Sequence, residues 1–249
     1  MPEADRDDVR DWSEDMAHLV DPVVTPQTVA RGLRGRRRIV EYFGHLAAER
    51  RRAPGDDILS GLIRAETEGD RLTSDELLSA AALLVVAGHE TTANMIANGM
   101  FALLRHPGRL ELLRSSSGTG LMPSAVEETL RYDGPAQAVG RRAPTDLELH
   151  GVRVPRGSRL VLSLGAANRD PDGFPDPDRF DVTRPDNRHL ALSGGAHFCV
   201  GAPLARMEAT IAFIALLRRH PRPNSPPSPA GAGARACAAC ANYACGSGP

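Results

Sequence analysis

The sequence predicts a mainly α protein with a small β portion. Three observations carry that expectation. A long apolar run with helical spacing extends from Leu77 to Leu104, and the pattern turns strand-like between Leu147 and Leu164. A proline-punctuated stretch, Phe174 to Arg188, then leads through a glycine-rich turn into a helix-forming run from Ala202 to Leu217.

Taken in order, Asp7 to Leu19 reads as a first helix, Val29 to Arg52 as a longer one and Asp56 to Glu66 as a third. The central helix follows. Thr73 or Ser74 caps its start, Asp75 and Glu76 suit its positive end, and His106 with Pro107 mark its stop. Short helices are expected at Gly108 to Arg114 and Ser124 to Tyr132. Strand-like segments lie at Leu147 to Val154 and Arg159 to Leu164, with turns at Gly151 and at Pro155-Arg156-Gly157. Pro171, Pro175, Pro177 and Pro185 exclude a regular helix between them. There are no internal repeats.

With 249 residues, 24% of them charged and 41% hydrophobic, and a formal net charge of -1, the composition is that of a globular chain of one or two domains. The near-neutral balance argues against a nucleic-acid surface. No run of eighteen uncharged apolar residues is present, and the opening MPEADRDDVR is too acidic for a signal peptide, so no membrane association and a cytoplasmic location are expected. Arg31 to Arg38 is the one basic cluster, read as a solvated helix start or a contact for a redox partner.

Three constellations carry chemistry. The first is LALSGGAHFCVGAPLAR, Leu190 to Arg206, in which Cys199 sits between a glycine-rich approach and a helix start. Orphan N–H groups and the helix dipole there favour a negative sulphur, and Gly194, Gly195 and Gly201 have no Cβ to block a close approach. The bland alternative is an ordinary buried cysteine acting as a small hydrophobe. The second is Glu128 and Arg131, three residues apart on one helical face. As a surface ion pair they would contribute only about 0 to 1 kcal/mol. The third is AGHETT, Ala87 to Thr92, where Gly88 costs about 1 kcal/mol of helix propensity and is easiest to understand if something flat passes close to the backbone. The alternative there is that Thr91 and Thr92 bond back to preceding carbonyls and Glu90 is a solvated acid.

Together, and in their order along the chain, the three constellations resemble the cytochromes P450. His197, Cys199, Gly195 and Gly201 match the haem-binding signature, while Leu192 stands where phenylalanine is usual and Ser193 replaces the first signature glycine. The resemblance implies a partial cytochrome P450 fold over residues 1–221, made of the central long helix, the glutamate/arginine helix, the meander, the haem-ligand loop and the following helix. It implies haem b as cofactor and Cys199 as the axial ligand to its iron. Arg141 and His197 become contacts for the haem propionates, with Arg142 exchanging for Arg141 if the alignment slips by one residue. Glu90 and Thr91 become a catalytic proton relay, and Glu128, Arg131 and Arg184 a buried structural network. The implied activity is that of a haem-thiolate monooxygenase, inserting one oxygen atom from dioxygen into a small organic substrate. Electrons would come from a ferredoxin and ferredoxin reductase or a similar donor, and a monomer is expected.

The resemblance begins in the middle of the family's plan, so amino-terminal strands, a helix that supplies other propionate contacts and most of the pocket roof are expected to be missing. After residue 221 the composition changes to a Pro/Ala/Gly-rich tail, residues 222–249, expected to be disordered and to mark a frame change or a chimeric gene end. Cys237, Cys240 and Cys245 in that tail have C-x-x-C spacing but lack a nearby fourth ligand. Two other functional classes stay open at this stage: a truncated non-catalytic fragment with weak or no haem binding, and a protein-interaction fragment.

Overall fold

A computed structural model describes residues 1–19, 24–67, 72–115 and 120–220. The tail of 222–249, with Cys237, Cys240 and Cys245, lies outside the described residues. Eight α-helices and four short strands occur among those described: α1 (Arg6–Ala17), α2 (Pro26–Arg52), α3 (Ile58–Thr67), α4 (Ser74–Arg105), α5 (Pro107–Ser115), α6 (Met122–Asp133), β1 (Ala138–Arg142), β2 (Leu147–Leu149), β3 (Val152–Val154), β4 (Arg159–Ser163), α7 (Leu164–Ala167) and α8 (Ala202–Arg219). The chain divides into two compact units within α4, after Glu90.

In the first unit α2 presents Ile39, Phe43, Leu46 and Ala47, an i, i+4, i+7, i+8 stripe, to Leu59 and Ile63 of α3 and to Leu77, Ala81, Ala82 and Val86 of α4. The helix begins earlier than Val29 because Thr25 caps it, accepting from Thr28 N, and Pro26 fills the first turn, where a missing N–H costs nothing. The basic cluster is therefore not a helix start. Arg34, Arg36, Arg37 and Arg38 stand in solvent, Arg31 pairs with Asp15, and the interleaved Gly32 and Gly35 are buried against α1. A Cβ on Gly35 would lie 2.6 Å from the Trp12 carbonyl oxygen and 2.8 Å from Met16 N, so the two helix backbones approach as closely as glycine allows. Asp57 caps α3 by accepting from Ser60 N at 2.8 Å. Thr73 caps α4 in a reciprocal box with Glu76, which accepts from Thr73 N at 2.8 Å while Thr73 Oγ1 accepts from Glu76 N at 3.2 Å.

The second unit is built on the carboxyl part of α4, with α5, α6 and α8 around a core of Met95, Leu103, Leu110, Leu113, Met122, Val126, Leu130 and Phe213. Phe180 and Val182 of the irregular segment and Ala191 of the loop before Cys199 join that core. β1 pairs antiparallel with β4, placing Arg141 opposite Leu160, and a small β2–β3 hairpin lies between them in sequence. The turn expected at Gly151 divides Leu147 to Val154 into that hairpin: His150 and Gly151 both adopt positive φ, at 49° and 80°, and reverse the chain. β1 was not foreseen, since AVGRR alternates weakly and is only half-buried.

Glycine at position 99 brings α4, α6 and α8 together. A Cβ there would meet Phe213 Cζ at 2.4 Å and Thr129 Cγ2 at 2.8 Å. Gly99→Ala is expected to destabilise the fold by about 1 to 3 kcal/mol through overpacking. Gly44→Ala, in α2 with nothing within 4 Å of the new methyl, is expected to stabilise by about 0.4 to 1 kcal/mol. Urea denaturation of the two variants checks both signs.

Candidate functional site

Arg131 is fully buried and uses every N–H it has. Nε and Nη2 form a bidentate pair with Glu128, at 2.8 and 2.9 Å. The remaining hydrogens reach backbone carbonyls of the proline-rich segment: Asn168 and Pro177 from Nη1, both at 2.8 Å, and Arg179 from Nη2 at 3.1 Å. Glu128, also fully buried, accepts further from Asp181 N at 2.7 Å, Asn187 Nδ2 at 3.0 Å and Arg184 Nε at 3.2 Å. Arg184 in turn donates to the Pro175, Asp176 and Arg179 carbonyls. Glu128, Arg131 and Arg184 thus come together, and the surface-pair alternative is removed by their burial. Tyr132 and Phe174 cover the guanidinium of Arg131 at 5.9 and 5.4 Å. Burying such charges is costly unless all are paired and hydrogen-bonded, and here they are.

The network reaches the cysteine loop through Asn168. Its Oδ1 accepts from Leu190 N at 2.7 Å, fixing the point where the loop begins. Leu192 packs on the core, and its carbonyl accepts from Cys199 N at 3.0 Å. Gly195 to His197 form one turn of 3-10 helix, and α8 starts at Ala202, three residues beyond the cysteine. Only one of the three loop glycines is demanded by backbone conformation: Gly195 has φ 59°, whereas Gly194 (φ -162°) and Gly201 (φ -82°) are ordinary. Ser193, standing where the family signature has glycine, is itself held at φ 62°. A left-handed residue with a Cβ costs about 1 to 2 kcal/mol, so the substitution leaves strain at the mouth of the loop.

Cys199 is a free thiol, partly exposed, flanked by Phe198 at 53% and Val200 at 87% exposure. Gly201 is its near neighbour, with a Cβ position 3.9 Å from the sulphur. His197 is exposed and Arg141 half-buried; the described partner of the Arg141 side chain is the Gly140 carbonyl, at 2.8 Å. Arg142 is exposed. On α4, Glu90 is half-buried, Thr91 exposed and Thr92 buried, and the space beside Gly88 is open, with nothing within 4 Å of a Cβ there. Among the described residues no group of three or more histidine, cysteine or acidic side chains is placed to hold a metal ion.

Sequence reasoning missed a second cluster beside the loop. Glu127, next to Glu128, accepts Arg206 Nε and Nη2 at 2.7 and 2.8 Å and pairs with His189 Nε2 at 3.1 Å. Burial pushes its carboxyl up, but the His189 and Arg206 hydrogen bonds and the Arg206 charge outweigh burial and hold it down at about 2. The adjacent acids in Glu127-Glu128 were the available signal.

The fold and the site together define a protein built to hold one cysteine sulphur on a braced loop ahead of a helix. The cytochrome P450 family model matches residues 22–116 and 120–221, and the chain belongs to that family. It is 43% identical to cytochrome P450 CYP107DY1 of Priestia megaterium over 221 residues, covering 89% of this chain and 53% of that protein. It is 46% identical over 223 residues to cytochrome P450 monooxygenase PikC of Streptomyces venezuelae, covering 89% and 51%. The crystal structure of myxobacterial cytochrome P450 CYP267B1 in complex with myristic acid superposes with a TM-score of 0.82 at 48% identity, covering 89% of this chain and 54% of that one. The chain therefore spans about half the length of the curated relatives it matches. No helix among the described residues is long and apolar enough to cross a membrane.

Three outcomes are expected. Glu128→Gln, which leaves two buried guanidinium groups short of their counter-charge, is expected to cost about 3 to 5 kcal/mol in chemical denaturation. Ser193→Gly is expected to raise stability by about 1 kcal/mol in the same measurement by relieving the left-handed serine. The stability gap between wild type and Glu127→Gln depends on pH in a set direction. Because the folded carboxyl is depressed, its contribution is fully present above the unfolded value of about 4.3 and is lost as pH falls through about 2.

Proposed function

We propose that this chain carries the haem-thiolate machinery of a monooxygenase that inserts one oxygen atom from dioxygen into a small organic substrate. The observation that carries the reading is the setting of Cys199. A partly exposed sulphur stands between exposed apolar side chains on a loop braced from behind, and among the described residues no group of three or more histidine, cysteine or acidic side chains is placed to hold a metal ion. Membership of the cytochrome P450 family supports haem as the cofactor, which we take to be haem b, with Cys199 as the ligand to its iron. Open space beside Gly194 and Gly195 leaves room for a flat group.

When bound, haem would supply the activation of dioxygen, favoured by electron density from a thiolate ligand. The chain's own residues do the rest. Cys199 donates the sulphur, three residues before the start of α8. Arg141 offers a guanidinium fork to a propionate carboxylate, and His197 offers a ring nitrogen to the second. Glu90 and Thr91, adjacent on α4, hold and move a proton at the Thr91 hydroxyl. A similar monooxygenase, PikC, is among the relatives, which supports the reaction class. A ferredoxin and its reductase or a similar donor supply the electrons, and we read the chain as a cytoplasmic monomer.

The test is a haem titration of the purified protein, followed by the carbon monoxide difference spectrum of the reduced form, with Cys199→Ala as control. Binding of one haem per chain with a strongly red-shifted Soret band, absent in Cys199→Ala, is the expected result. No haem uptake, or a band unchanged in the control, would overturn the reading and leave a non-catalytic fragment.

A further inference from the structure

Glu127 takes no part in the network around Arg131. Its carboxylate instead reaches both ends of the segment that carries Cys199. Oε2 accepts from His189 Nε2 at 3.1 Å, immediately before the loop begins at Leu190. Arg206 gives both carboxylate oxygens a bond from the second turn of α8, just after the loop ends. The ring of His189 is set for this role: Ala191 N donates to its Nδ1 at 3.3 Å, which leaves the proton on Nε2 to point at Glu127. The His189 side chain is only 3% exposed, so this end of the contact is shielded from water.

We propose that Glu127 is a positioning residue for Cys199: its carboxylate clamps the two ends of the ligand loop so that the sulphur is in place before the cofactor arrives. This rests on the reading of Cys199 as a haem ligand. Within the loop the backbone hydrogen bonds are short-range except for Cys199 N to the Leu192 carbonyl: Ser193 N reaches the Leu190 carbonyl, and His197 N and Phe198 N reach the Gly194 and Gly195 carbonyls within the 3-10 turn. Gly194 and Gly195 have no side chains to restrain them, and Ser193 is strained. A bidentate arginine–carboxylate pair is directional as well as attractive, so it fixes the start of α8 against α6 in angle and distance. The neighbouring Glu128 braces the segment before the loop, and Glu127 closes the loop itself. Consecutive acids on α6 thereby restrain consecutive stretches of chain.

The test compares hydrogen exchange of the haem-free protein across residues 190–201 in wild type, Glu127→Ala and Arg206→Gln. Gly99→Ala serves as a variant destabilised away from the loop. Exchange at Ser193 and Cys199 is expected to rise about tenfold in Glu127→Ala beyond the rise in Gly99→Ala, with Arg206→Gln following it. The haem dissociation constant is expected to rise by about 10- to 100-fold, the usual cost of losing a residue that supports a metal ligand. Loop exchange no faster than in Gly99→Ala, in both Glu127→Ala and Arg206→Gln, would overturn the clamp. The exchange arm needs no haem, so failure of the wild type to bind haem through Cys199 would defeat the functional reading separately.

Discussion

A guanidinium taken wholly out of water governs this structure. Arg131 has five N–H groups and each has a partner, two on Glu128 and three on backbone carbonyls of residues 168, 177 and 179. Leaving any of them unmade would cost about 1 to 3 kcal/mol or more. The proline-rich segment supplies carbonyls for this purpose because it has no helix or strand to absorb them. What looks irregular along Phe174 to Arg188 is ordered by a side chain instead of a backbone ladder. The helix that carries Arg131 thereby dictates the path of a segment more than forty residues downstream.

Order passes from that network to the cysteine through a small number of contacts. Asn168 shares in both, giving its carbonyl to Arg131 and its side-chain oxygen to Leu190 N. Beyond Leu190 the chain is pinned at Ala191 and Leu192 by the core, then crosses glycines and an unfavourable serine before Cys199 N returns to the Leu192 carbonyl. The weakest stretch is thus the one nearest the sulphur. This is the stretch with the departures from the family signature, and Leu192 compensates for the usual ring only by its packing from the core side.

The sequence displayed the charged members of the network but not their geometry. Glu128, Arg131 and Arg184 were legible because an acid, two intervening residues and an arginine recur in the family before a proline-rich stretch. Asn187, the Asp181 N–H and the carbonyls were not legible, since backbone acceptors leave no trace in residue type. Helix starts were misplaced where caps decided them: Thr25-Pro26 moved α2 forward, and Asp57 moved α3 back from Asp56. Gly32 and Gly35 were hidden inside a run of arginines that drew attention to charge. Their role is steric, and it becomes apparent only when α1 lies against them. Arg141 was picked out while its strand was not, because a half-buried edge such as AVGRR lacks the alternation that marks a strand.

On the proposed reading, in which Cys199 is the protein's single ligand to the haem iron, the expense of so much buried polarity is understandable. A chelate with several protein ligands can order its own loops as it binds, each bond offsetting part of the conformational entropy lost. A lone sulphur cannot. If the residues from Leu190 to Cys199 were ordered only on binding, the cost would run at about 1 to 2 kcal/mol for each backbone fixed, all of it set against one bond. Ordering them during folding moves that cost away from the binding step, which is the general advantage of a preorganised site. Arg131 and Glu128 do so for the segment leading in, and the packing of Leu192 and Ala191 does so for the first residues of the loop. The remaining freedom lies between Ser193 and the start of α8, and on that reading the affinity for haem is decided there.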